Sequence, residues 1–393
     1  MESREPLETD GDDLRFGEGS LVYRAARAAG LLPVDGSLVR VGVALAILTW
    51  LPLLVLVALE PASTVPTVAF RQSYGTHARF LLAIPLFFFS ETLFSRRIAE
   101  VRRRLLQAQV VTPQELPRYA SAWRQAQRWW DSRGVEVMLL GVTVISILLG
   151  GRTDLPGGVS TWRLAADGGP SLAGWWYSLV SLPLFQFLLW RWGWRLLVWG
   201  RLLWQISRLD LQLVPTHPDL SGGLGPLGVA HVDLGALAFG SASMLAASFA
   251  EQIKFTGATP AQFAYPGAAV IAGVTLAFVG PLLFFSRKLL SVKQRGYLEY
   301  GPLAMRYVRE FDAKWVRGGA SPDEPLLGSA DVQSLADLSN SFAIIGNMRL
   351  VPISWPQLFL LGIASALPMM SLIVFQFPLD ELIVRTVRSL VGV

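Results

Sequence analysis

Four stretches of this chain, Val41–Leu59, Gly168–Trp190, Phe255–Ser286 and Leu350–Leu379, contain no Asp, Glu, Lys or Arg. A helix needs roughly 20 apolar residues to cross a hydrocarbon core about 30 Å thick, so each stretch is long enough to span a bilayer. Three shorter ones, Phe80–Phe94, Val137–Gly151 and Leu234–Ala250, reach that length only with their flanks. The fold class that follows is all-α: a polytopic membrane protein of about seven helices. Only helices and closed barrels satisfy backbone polar groups inside lipid.

The charges between the spans set an orientation. Lys and Arg accumulate in short cytoplasmic loops. With the N-terminus inside and seven crossings, the inside segments 1–40, 95–134, 191–226 and 287–349 hold 27 of the 34 basic residues. Removing the soft span Leu234–Ala250 would move the nine basic residues of 287–349 outside, so the span is kept despite its small side chains. The reading places the chain in a bacterial cytoplasmic (inner) membrane, its N-terminus cytoplasmic, the first span acting as an uncleaved anchor. At the C-terminus, Leu379, Leu382, Ile383, Val387, Leu390 and Val391 recur at helical spacing. An interfacial amphipathic helix over 378–393 is expected there, the alternative being that Leu350–Leu379 breaks at Pro356 or Pro368 and re-enters.

Charged residues make up 16% of the chain, below the roughly 25% of soluble domains. The calculated pI near 9.7 reflects loop arginines that border membrane spans. The expected partner is therefore the lipid bilayer and not nucleic acid, with a homo-oligomer as the expected assembly. Cysteine is absent, which excludes disulfides and thiol chemistry.

The chain divides into a cytoplasmic tail over 1–40, a transmembrane domain over 41–377 and the terminal helix. Met1–Glu18 reads as disordered, followed by a short helix near Leu21–Ala29. Within the transmembrane domain, 95–134 and 287–349 form a helical cytoplasmic layer. Thr112-Pro113-Gln114-Glu115 carries a capping-box pattern that starts a helix. Trp123, Trp129 and Trp130 on it read as interfacial anchors. Arg191, Arg195, Arg201 and Arg208 lack the spacing of three that a voltage-sensing ladder shows, and snorkelling to the interface accounts for them. The segment 287–349 reads as a helical hairpin with helices over Tyr300–Val316 and Ser329–Ile345. No sequence repeat stands out.

Two sets of residues could carry chemistry. The loop Val214–Pro226 holds His217 and Asp219 at its tip, and the amides of Gly222, Gly223 and Gly225 could face an anion before the helix that Pro226 starts. Three readings compete: a metal site using His217, Asp219, His231 and Asp233, an anion or lipid-headgroup site, and a structural turn that needs no ligand. His231 and Asp233 are two apart on a helix and point to different faces, which counts against the metal, so no metal is assigned and the cofactor stays unknown. The second set is an intramembrane polar cluster. Glu91 lies in a span where an ionisable group is costly unless paired or functional, and Arg191, Arg195, His231 and Asp233 fall at the same depth. The alternative pairs Glu91 with Arg96 or Arg97. The small residues Gly235 to Ser248 place the fifth span inside the bundle or at a subunit interface, not facing lipid. Gly240-Ser241-Ala242-Ser243 lacks the glycine and the base of an intramembrane serine protease, and no Walker A loop or His-Glu-x-x-His motif occurs.

The run Leu209–Asp219 with Gly222-Gly223-Leu224-Gly225, together with Asp331–Leu338 and Met348-Arg349-Leu350-Val351-Pro352, resembles an uncharacterised family of bacterial multi-span membrane proteins. The resemblance implies a shared membrane architecture and no activity. Whether the protein is an enzyme is left open. The leading expectation is an oligomeric channel or transporter-like protein whose inner mouth includes His217–Gly225. The alternatives are a membrane-embedded enzyme acting on a lipid or anionic substrate through His217 and Asp219, and a scaffold for a cytoplasmic partner.

Overall fold

The computed structural model describes residues 19–31, 38–60, 68–149, 161–165 and 168–372. The expected disordered start and the C-terminal amphipathic helix lie outside these residues. Eleven helical segments follow in order: α1 Leu21–Ala28, α2 Val39–Leu59, α3 Tyr74–Gln107, α4 Leu116–Trp130, α5 Arg133–Leu149, α6 Leu172–Arg208, α7 Gly225–Val232, α8 Gly235–Thr256, α9 Pro260–Val316, α10 Ala330–Asn347 and α11 Trp355–Met370. No β-strand occurs among the described residues, only three isolated bridges. The protein is an all-α polytopic helical membrane protein.

Five helical runs, α2, α3, α6, α9 and the continuous α7–α8 run, are long and apolar enough to cross a bilayer. The stretches expected to make the remaining two crossings form α5 (17 residues) and α11 (16 residues), each about 25 Å long at 1.5 Å per residue and shorter than the five. Both run between the same two ends of the bundle. At one end, Val111 bridges Leu211, Lys293 Nζ donates to the Gly346 carbonyl (2.8 Å), and the Arg349 amide donates to the Leu220 carbonyl (2.8 Å). At the other, the Gly75 amide donates to Glu251 Oε1 (2.9 Å), Arg79 Nη1 donates to Tyr177 Oη (2.8 Å), and the Leu172 amide donates to Glu60 Oε1 (2.7 Å). The first is the basic end, since the arginine-rich termini of α3 and α6 and the long extension of α9 meet there.

Proline explains the irregular turns. Pro85 and Pro183 lie equally far from the helix starts Tyr74 and Leu172, and each follows a π-helical stretch, Ala78–Ala83 and Tyr177–Ser181. Proline has no N–H to give the preceding turn and its ring crowds the carbonyl four residues back, so the turn widens. The two widened turns face each other, with Phe80 and Tyr177 ring centroids 6.0 Å apart. Two turns on, Phe87 and Phe185 stack at 6.0 Å. In α9 the pair Gly280-Pro281 replaces α-helical bonding with a 3₁₀ stretch over Gly280–Phe285.

Burial separates protein-facing from lipid-facing sides. On α2, Val41, Ala46, Thr49 and Leu53 are buried while Val43, Ile47, Leu51 and Leu54 are exposed. Gly42 allows α2 to press on Phe88 of α3, where an added Cβ would lie 2.9 Å from the Phe88 Cβ. The small-residue helix α8 is buried along Leu237, Ala238, Gly240, Ala242, Ser243 and Ala246, packed between α3 and α11. Close backbone approach of this kind drives association where lipid is as apolar as the side chains.

The layer at the basic end is helical as expected. The extension of α9 pairs with α10 in a hairpin, with Tyr297 and Phe342 edge-to-face at 5.6 Å. Two local expectations fail. Thr112 makes no side-chain cap. Its hydroxyl turns to the Asp210 carbonyl (3.4 Å) because the Val111–Leu211 bridge holds that loop alongside. The capping box is found instead at Ser354 and Gln357, opening α11. Trp123 and Trp130 are also not interfacial. They are buried, and Phe94 stacks on Trp130 (6.3 Å) and meets Trp199 edge-on (5.4 Å), so α4 is part of the core.

Candidate functional site

The polar residues separate into a closed ion cluster inside the bundle and an open cleft at its basic end. In the cluster, Glu91 of α3 receives both ends of the Arg191 guanidinium from α6, Nη1 to Oε2 at 2.8 Å and Nη2 to Oε1 at 3.0 Å. Arg195, one turn along α6, brings Nη1 to 2.7 Å from Glu91 Oε2. Its guanidinium lies 4.9 Å from the Trp130 ring centroid and 5.8 Å from that of Trp192. Glu91, Arg191 and Arg195 are 2%, 4% and 1% exposed, so water does not screen these contacts. The cluster reaches further than its three expected members. Glu136 of α5, also buried, places Oε1 3.6 Å from Arg191 Nε and accepts the Leu21 amide at 2.6 Å. Ser20 accepts from Arg191 Nη2 at 3.3 Å. The first turn of α1 is thereby tied to the ion cluster.

Two expected members lie elsewhere. His231 is fully buried, its Nδ1 2.7 Å from the Leu227 carbonyl and its Nε2 accepting from Trp199 Nε1 at 3.2 Å. A carbonyl only accepts, so Nδ1 carries the proton and the imidazole is neutral with both nitrogens used. Asp233 pairs with Arg97 at 2.9 Å, outside the cluster. The alternative pairing of Glu91 with Arg97 does not occur, since Arg97 divides between Asp233 and Glu100. Arg191 and Arg195 do not snorkel, while Arg201 and Arg208 are exposed.

Glu136 is the member that sequence reasoning missed. The rule that singled out Glu91, a lone carboxylate in an apolar helix, applies equally to Glu136.

The loop before α7 carries its own anion. The Asp219 carboxylate accepts from the amides of Ser221 (2.8 Å), Gly223 (3.1 Å) and Gly225 (2.8 Å). Gly223 has φ +101°, which L side chains rarely adopt, and this turns its amide inward. The amides that could have faced a bound anion are thus engaged by Asp219. His217 Nδ1 lies 2.8 Å from Asp219 Oδ1 and 3.2 Å from the Asp219 amide. It donates to the carboxylate when Nδ1 carries a proton and accepts from the amide when Nε2 carries the only proton.

A cleft of about 680 Å³ opens beside this loop. Its walls include Arg104 at the end of α3, His217, Asp219, Arg349, and Gln357 at the start of α11. Arg349 donates to the Asp219 carbonyl at 2.5 Å and so joins the loop to the α10–α11 connection. Gly228 lets α7 meet that connection, because an added Cβ would sit 2.3 Å from the Pro352 carbonyl oxygen. Residues of the first sequence block (His217, Asp219, Gly223 and Gly225) and of the 348–352 part of the second (Arg349 and Pro352) therefore line one cleft although they are over a hundred residues apart, while Asp331–Leu338 does not line it. Glu91, Arg191 and His231 do not line it. Among the described residues no group of three or more His, Asp or Glu is placed to hold a metal.

No family model, no curated protein and no solved structure matches this chain.

Proposed function

We propose that this is a transporter-like protein of a bacterial inner membrane, its N-terminus and basic end cytoplasmic, that admits an anionic solute through the cleft beside His217. The observation that carries the proposal is the composition of that cleft. Arg104, Arg349 and His217 face it, while its one carboxylate, Asp219, is already held by three amides. A cleft of about 680 Å³ is within the usual range for small-molecule sites. It opens between α3, α7 and α11, all of which belong to the bundle. The loop 209–225 and the 348–352 part of the second block of the family resemblance adjoin at it, which supports reading those two segments as one unit. The homo-oligomer remains part of the proposal, and light scattering of purified protein tests it.

The test is uptake of a panel of small anions into proteoliposomes. Arg104 is exposed and, among the described residues, pairs with Glu100, so Arg104→Gln removes a cleft charge without opening the core. Wild-type uptake of at least one anion, reduced in Arg104→Gln and His217→Ala, is the expected result. Tight vesicles with no anion flux across the panel would overturn it. One observation favours a second reading. Asp219 within 2.8 Å of His217 Nδ1 leaves Nε2 free for acid–base work, as in an enzyme acting on a lipid or anionic substrate. Turnover without flux, lost in His217→Ala, would select that reading.

A further inference from the structure

We propose that the groove between the basic end of α6 and the middle of α9 binds the headgroup of one anionic glycerophospholipid from the adjoining leaflet. The groove has a volume of about 550 Å³ and is separate from the cleft beside His217. Both helices run toward the basic end and present the same sequence of chemistry along the way. On α6, Trp204 is followed one turn later by Arg208, and on α9, Leu283 and Phe284 are followed one turn later by Arg287 and Lys288. Trp204, Leu283 and Phe284 are 42%, 49% and 44% exposed, so an apolar channel leads out of the lipid and ends at three cations.

The cations are not spent on carboxylates. Neither Arg208 nor Arg287 forms an ion pair among the described residues. Arg208 rests with its guanidinium carbon 5.5 Å from the Trp204 ring centroid, and Lys288 donates to the Leu209 carbonyl. Asp210 and Glu115 act on Lys288 from the loop side, and Glu115 is itself paired with Arg118. A basic pocket between membrane helices at the level of an interfacial tryptophan recognises anionic headgroups, and each cation near the surface contributes comparably. The apolar lower half distinguishes a lipid from a free anion. Inorganic phosphate meets the three cations but gains nothing from Leu283 and Phe284, whereas acyl chains cover them.

The experiment is native mass spectrometry of delipidated, detergent-solubilised full-length protein titrated with dioleoylphosphatidylglycerol or dioleoylphosphatidylcholine. The wild type is expected to retain one more phosphatidylglycerol than phosphatidylcholine. Removing two cations in Arg208→Gln/Arg287→Gln is expected to weaken that retention about 30-fold. Arg306→Gln/Arg309→Gln, further along α9 and away from the groove, is expected to leave it unchanged, and Arg208→Lys/Arg287→Lys to preserve most of it. Equal retention of both lipids, or a groove variant that keeps phosphatidylglycerol like the wild type, would overturn the proposal. Complete displacement by millimolar inorganic phosphate would also overturn it, by showing a plain anion site. Solute flux plays no part in this readout, so failure here and failure of the transport reading are separate results.

Discussion

Glu91→Gln tests whether the ion cluster is held by charge or merely by hydrogen bonds. Glutamine keeps the shape and one acceptor oxygen but removes the negative charge between Arg191 and Arg195, which approach Glu91 to 2.8 and 2.7 Å. The carboxylates that remain are Glu136, 3.6 Å from Arg191, and Asp131, which also acts on Arg195, so the two guanidinium groups lose their closest counter-charge in a dry site. Removing one partner of a buried pair costs about 3–5 kcal/mol, which is two to nearly four powers of ten in the folding equilibrium. Interhelical hydrogen bonds in membranes average only about 0.6 kcal/mol. The two mechanisms are thus separated by several-fold in size. The assay is equilibrium unfolding by SDS titration in mixed micelles, run also on Arg191→Gln and on the double variant. The double variant restores neutrality, so its loss should fall short of the summed single losses by about 1–3 kcal/mol. A Glu91→Gln loss under about 1 kcal/mol, with additive single variants, would refute the argument and mean that the cluster is hydrated or dispensable.

Two further outcomes follow from local geometry. Asp219→Ala should free the amides of Ser221, Gly223 and Gly225, destabilising the loop by roughly 1.5–3 kcal/mol. Faster hydrogen exchange at those three amides, slowed again by added sulfate entering the emptied nest, is the expected readout. Asp331 is held below the ordinary Asp value of 3.8 by hydrogen bonds from Lys314 and Trp315. A depressed folded pKa favours the docked α9–α10 hairpin at neutral pH, and this contribution is lost as pH falls through the folded value. Asp331→Asn should mimic that acid state at pH 7, and faster trypsin cleavage after the exposed Arg317 checks it.

How much of this could be read from the residues differs by element. Charge-free runs of sufficient length determined the membrane class, and the small side chains from Gly235 to Ser248 determined that α8 would be buried. Both conclusions rest on one-dimensional facts: how long an apolar run is and how small its side chains are. Glu91, Arg191 and Arg195 were legible as costly groups at one depth, because the expense of burying a charge does not depend on the partner. Their pairing was not legible, since Glu91 and Arg191 are 100 residues apart and Arg97 was a nearer candidate in sequence. Only the packing of α3 on α6 decided it.

The same holds for the loop before α7. Its glycines and prolines marked a turn with inward amides, but a side chain and an external anion compete for the same donors. The carboxylate of Asp219, anchored on the same loop, is the group that reaches them. His231 was assigned to the cluster by depth alone, and the buried Trp199 beside it provides a partner that no spacing rule contains. Thr112 lost its capping role to the neighbouring loop at Asp210, while Ser354 gained one with Gln357. Helix formation and charge cost are properties of a segment and its solvent, so the residues alone determine them. Which donor meets which acceptor depends on how separate segments pack, and in this protein tertiary structure alone settled that.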